Sequence, residues 1–130
     1  MRTGITFLIV AAIVVFVPSF TDFPWWSYLI PLFVLGILLP LQKWRVQAFL
    51  TAFLAGFLTW IGTTVYFENL YEGEVLETVS GIVDFPSFMV YIFIGLIGGL
   101  LSGLAVYAGF LLRRGREELS LDIRANDKSE

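Results

Sequence analysis

The 130-residue chain is 58% hydrophobic and 15% charged, with a mean hydropathy of +0.84 and a formal net charge of −3. An ordinary soluble domain is about 45–50% apolar and about 25% charged, and a globule of this size has too small an interior to hide the excess. The composition therefore describes an all-α integral membrane protein. With no Cys, the chain can build neither a disulfide framework nor a thiolate metal site. With no His, it lacks the commonest general base and transition-metal ligand. A net negative chain offers no basic face to nucleic acid.

Cutting the sequence at its charges leaves four apolar stretches, read as transmembrane spans over about residues 4–20, 25–39, 46–67 and 86–112. About 20 helical residues cross a bilayer. Spans three and four meet that length. Spans one and two are short, and either cross with local thinning or form a re-entrant hairpin. A cleaved signal peptide is disfavoured for span one because the apolar run Ile5 to Val17 is long and Val17-Pro18-Ser19 is a poor cleavage site. Residues 1–112 thus form a four-helix transmembrane domain, and residues 113–130 form a polar cytoplasmic tail expected to be largely mobile.

The basic residues set the orientation. Arg2 precedes span one, Lys43 and Arg45 lie between spans two and three, and Arg113, Arg114, Arg116, Arg124 and Lys128 follow span four, which accounts for all 8 Lys and Arg. The opposite side receives Asp22, Glu68, Glu72, Glu74, Glu77 and Asp84. By the positive-inside rule both termini are expected to be cytoplasmic. Trp25, Trp26 and Tyr28 read as an outer aromatic belt, joined by Tyr66, Phe67 and Tyr71, with Trp44 at the inner interface. Thr21 or Asp22 is placed to cap the second helix, and Pro31 is placed to kink it. In the outer loop, residues 68–85, the spacing of Val75, Leu76, Val79, Ile82 and Val83 predicts a short amphipathic helix between spans three and four.

The sharpest pattern lies in span four. Gly95, Gly99 and Gly103 repeat every four residues, with Gly98/Ser102 and Ala105/Gly109 as further small pairs, so that one helix face admits a close neighbour. Ala52 and Gly56 offer a matching small face on span three. The stripe serves either self-association or packing against another span of the same chain. Thr59, Thr63 and Ser102 are candidates for a polar pathway, although Thr and Ser in helices commonly bond their own backbone. Glu68, Glu72, Glu74 and Glu77 form an outer acidic surface. A hard cation held by Glu68 and Glu72 is the sharper reading of it and a solvated face the plainer one.

No Asp, Glu, Lys, Arg or His lies inside any span, and such a group is the usual mark of a proton relay or coupling site. Small multidrug transporters, for example, rely on a Glu in the first span. The expectation is a non-enzymatic protein without cofactor or metal, an accessory or scaffold subunit or a self-associating membrane protein. Its partners would be the lipid bilayer and a membrane protein or a second copy, and no nucleic acid. The alternative is a small oligomeric channel or transporter for an ion, lipid or neutral solute.

Trp25-Trp26, Gln47 to Leu50, Gly56 to Trp60, Asn69, Leu76 and the run from Gly95 to Arg113 resemble a group of small four-span membrane proteins of Bacteroidota-type bacteria. That resemblance implies a topology and no activity. Gly62-Thr63-Thr64 with Phe67, and Ser102 to Ala105 with Gly109, are similar to pieces of the fluoride channels. The Gly- and Arg-containing first span and the second-span Asn of those channels have no counterpart here. Their antiparallel dimer also conflicts with the one-sided basic charge, and the fluoride-channel reading is set aside.

Overall fold

A computed structural model describes residues 2–17, 19, 24, 26–42, 47–70, 77–78, 81–82 and 86–127. The chain is helical, with no strand among the described residues. Its four long elements are α1 (Arg2–Phe16), α2 (Leu29–Leu38), α3 (Ala48–Leu70) and α4 (Ser87–Asp127). Helices α3 and α4 have 23 and 41 residues, and both contain a window long and apolar enough to cross a membrane. Only 28% of that window is buried in α3 and 33% in α4, whereas a core helix of a soluble protein is mostly covered. Helices α1 and α2 have 15 and 10 residues, so they rise only about 22 and 15 Å.

The α3–α4 pairing is the most extensive contact of the bundle; α2 lies against α4, α1 lies against α3, and α1 meets α2 only marginally. The core draws Val10 and Val14 from α1, Tyr28 and Leu32 from α2 and the turn before it, Leu41 from the following turn, Ala48, Ala52 and Ala55 from α3, and Val106 from α4. Large apolar side chains also cover the outside, among them Leu8, Phe16, Ile30, Leu38, Leu58, Phe93, Ile97 and Leu104. Exposed apolar surface on this scale marks a contact with lipid or protein.

Three sequence expectations change. Pro31 does not interrupt a span, because α2 begins at Leu29 and Pro31 falls in its first turn. There the missing amide is one the helix leaves unpaired anyway, and the Ser27 carbonyl accepts from Ile30 at 3.2 Å instead. Tyr28 is not a belt residue: it is fully buried in the bundle, while Trp26 remains exposed. The polar segment after Leu112 is not a loose tail, since α4 continues without a break to Asp127. Extending an existing helix needs no new nucleus, and the pairs Arg113–Glu117 at 2.8 Å and Arg114–Glu118 at 2.9 Å add the i, i+4 support of an exposed helix.

Helix α2 ends where Leu39 turns extended (ψ 134°), as a residue before proline does. The proposed amphipathic outer helix falls largely outside the described residues, as do Thr21, Asp22, Trp25, Trp44, Glu72 and Glu74; Glu77 and Ile82 are helical and exposed.

Candidate functional site

The glycine stripe of α4 is occupied by α3 of the same chain. A Cβ at Gly95 would lie 2.7 Å from Ile61 Cγ1 and 3.0 Å from Phe57 Cδ2, one at Gly99 2.9 Å from the Phe53 carbonyl oxygen, and one at Gly103 2.9 Å from Phe49 Cε2. Phe49, Phe53, Phe57 and Ile61 recur every four residues along one face of α3, so each large side chain fills the hollow left by a glycine. The rings reinforce one another: Phe49–Phe53 and Phe53–Phe57 each stack with centroids 6.0 Å apart. Tyr107 meets Phe49 edge-on at 6.3 Å. Gly98 is covered by the Trp60 indole.

Gly56 belongs to the same contact, with a Cβ there falling 2.5 Å from Ser102 Oγ and 3.0 Å from the Gly98 carbonyl oxygen. Ala52 is fully buried on α3. A second close crossing joins α2 to α4. A Cβ at Gly36 would meet the Val106 carbonyl and lie 3.1 Å from Gly109 Cα, and one at Gly109 would meet the Phe33 carbonyl and lie 3.1 Å from Gly36 Cα. The sequence signal for this crossing was the single small residue in an otherwise large-residue α2, which has no four-residue repeat to draw the eye.

Thr59, Thr63 and Ser102 do not form one polar face. Thr59 and Thr63 line a groove of about 700 Å³ between the C-terminal part of α1 and the second half of α3, together with Val14, Val15, Ser19, Trp60, Gly62, Thr64, Tyr66, Phe67 and Glu68. Ser102 is not part of it. Its hydroxyl is fully buried and donates to the Gly98 carbonyl at 2.7 Å. Thr63 and Thr64 likewise donate to Thr59 and Trp60 carbonyls at 2.8 Å each. The hydroxyl hydrogens are thus spent on the helices' own backbone. Of the acidic surface, Glu68 lines the groove, and Glu77, helical and exposed, does not.

Inside the bundle the Tyr28 ring lies 5.9 Å from the Trp60 indole, with its hydroxyl beside the Trp60 and Ser102 side chains. Neither meets it with hydrogen-bond geometry, and Tyr28 OH, Trp60 Nε1 and Ser27 Oγ are enclosed without a protein partner. At the other end of α2, Arg113 of α4 donates to the Leu38 carbonyl at 3.1 Å and the Ile37 carbonyl at 3.4 Å. A cation on the last carbonyls of a helix satisfies unpaired acceptors and opposes the negative end of the helix dipole.

Among the described residues no group of three acidic, His or Cys side chains is gathered as a metal site would require. No family model, curated protein or solved structure matches this chain, so its function is argued from its own geometry.

Proposed function

We propose that the protein is a non-catalytic accessory or scaffold subunit of the bacterial inner membrane, with four membrane-embedded helices and both termini in the cytoplasm. The observation that carries this reading is α4. It runs as one helix from an apolar segment through Leu112 into a charged arm, residues 113–127, whose residues beyond Arg113 are all exposed. A helix that leaves a membrane without a kink is a rigid strut about 22 Å long, and Arg113 braces its base against α2. The glycine face is taken up within the chain, so association with a partner or a second copy falls to the arm and to the outward apolar surfaces. Exposed Leu119 and Ile123 share one side of the arm.

The test is purification of the full chain in mild detergent, comparing the parent with Leu119→Glu/Ile123→Glu. Loss of a co-purifying protein or of an oligomer in the variant, with unchanged thermal stability, supports the scaffold reading. The groove between α1 and α3 favours the second reading, a channel or transporter for an ion, lipid or neutral solute. Solute or lipid flux in liposomes that Thr63→Val abolishes would replace the first reading with that one.

A further inference from the structure

The groove between α1 and α3 has a chemical bias that selects its occupant. The two helices differ in length: α1 stops at Phe16, whereas α3 runs on to Leu70, and the groove follows α3 from Thr59 to Glu68. Gly62 deepens it, since an added Cβ there meets nothing within 4 Å. The result is a mostly apolar channel of about 700 Å³, open to the surroundings, within the range of sites that take a lipid-sized or drug-sized molecule.

Most polar side chains among its described lining residues are acceptors. Ser19 donates its hydroxyl hydrogen to the Val15 carbonyl at 2.7 Å, and Thr63 and Thr64 donate theirs to Thr59 and Trp60 carbonyls at 2.8 Å. Each therefore turns only oxygen lone pairs toward the groove. Glu68 adds a carboxylate, an acceptor with a full negative charge. Trp60 contributes its ring to the wall, but its N–H is sealed in the bundle interior. Among the described lining residues, apart from the Tyr66 phenol and the Thr59 hydroxyl, the polar side chains thus accept hydrogen bonds and donate none. The sequence supplies no counter-charge nearby, because no Lys or Arg occurs between Arg45 and Arg113. Tyr66 and Phe67, edge to face at 5.8 Å beside Glu68, add aromatic surface of the sort that attracts a cation.

We infer that this groove binds a membrane lipid with a primary ammonium headgroup. Its acyl chain lies along Val14, Val15 and Trp60, and its N–H groups donate to Glu68 and the Thr63 and Thr64 oxygens. A phosphate is common to these headgroups, but one without an ammonium brings a net negative charge to Glu68 and finds few donors among the described lining residues. A quaternary headgroup has charge but no N–H to give. The assignment is independent of whether the α4 arm binds a partner.

The test uses the full chain carrying Trp25→Phe, Trp26→Phe and Trp44→Phe, which leaves Trp60 as the only indole. It is reconstituted in phosphatidylcholine vesicles containing equal mole fractions of either chain-brominated phosphatidylethanolamine or chain-brominated phosphatidylglycerol, and quenching of Trp60 emission is measured. The expected result is an apparent affinity about fivefold higher for the ethanolamine lipid, the size of one partly exposed charge pair. Glu68→Gln should bring the two lipids level. Gly62→Phe, whose Cβ has nothing within 4 Å, should lower quenching by both while the protein stays folded. Equal quenching by both lipids in the parent, or a preference that survives both substitutions, overturns the inference.

Discussion

At the α2–α4 crossing an added methyl group meets backbone more closely than at any other described glycine, so a single methyl group measures the contact. In Gly109→Ala the new Cβ runs into the Phe33 carbonyl and sits 3.1 Å from both Gly36 Cα and Ile37 N. All three are backbone atoms of α2, so no rotamer change relieves the overlap and the helices must move apart. Overpacking of this kind costs about 1–3 kcal/mol, and the better helix propensity of Ala returns about 1 kcal/mol. The net expectation is a loss of about 0–2 kcal/mol, with Gly36→Ala behaving alike because the contact is reciprocal. Two other helical glycines are internal controls. Gly62→Ala meets open space and should gain up to about 1 kcal/mol. Gly95→Ala meets Ile61 Cγ1 and Cδ1 at 2.7–2.8 Å and Phe57 Cδ2 at 3.0 Å, side-chain atoms that can shift where backbone atoms cannot, and should cost less than Gly109→Ala. Unfolding by SDS titration from mixed micelles, followed by far-UV circular dichroism, ranks the four variants. If Gly36→Ala and Gly109→Ala are as stable as Gly62→Ala, the close crossing does not exist as described.

Arg113→Ala should free the end of α2, costing about 0.5–1 kcal/mol for the lost cap and raising amide exchange at Leu39, whose N–H bonds the Leu35 carbonyl at 2.9 Å. Glu117→Gln, which leaves the guanidinium able to reach Ile37 and Leu38, should have the smaller effect, and equal effects would contradict the capping role. Tyr28→Phe removes a hydroxyl that is enclosed without a protein partner. Stability should therefore change by less than about 1 kcal/mol or rise, since deleting an unsatisfied buried group removes its desolvation penalty. A loss above about 2 kcal/mol in the same titration would mean that the hydroxyl is bonded.

The sequence by itself determined the helical class, the two long apolar segments and the face of α4 that admits a close neighbour. Each of these is a local property: hydropathy over some 20 residues, or glycines four apart on one helix, shows without knowing what lies opposite. Gly95, Gly99 and Gly103 showed that something approaches closely, but only the tertiary structure decided that Phe49, Phe53, Phe57 and Ile61 of the same chain fill the stripe. The side chains that fill a hollow lie about 35 to 55 residues away in sequence, and nothing in either helix alone pairs them. The same limit explains Gly36, invisible until α2 is laid on Gly109, and Tyr28, whose neighbours in sequence suggest an interface while its neighbours in space make it core. Pro31 looked central to a span because apolar composition continued upstream of it, yet the helix starts only two residues earlier. The hydroxyls divide likewise. Shared hydroxyl chemistry on two small-residue spans grouped Thr59, Thr63 and Ser102, whereas the packing leaves Thr59 and Thr63 in an open groove and closes Ser102 beneath Gly56.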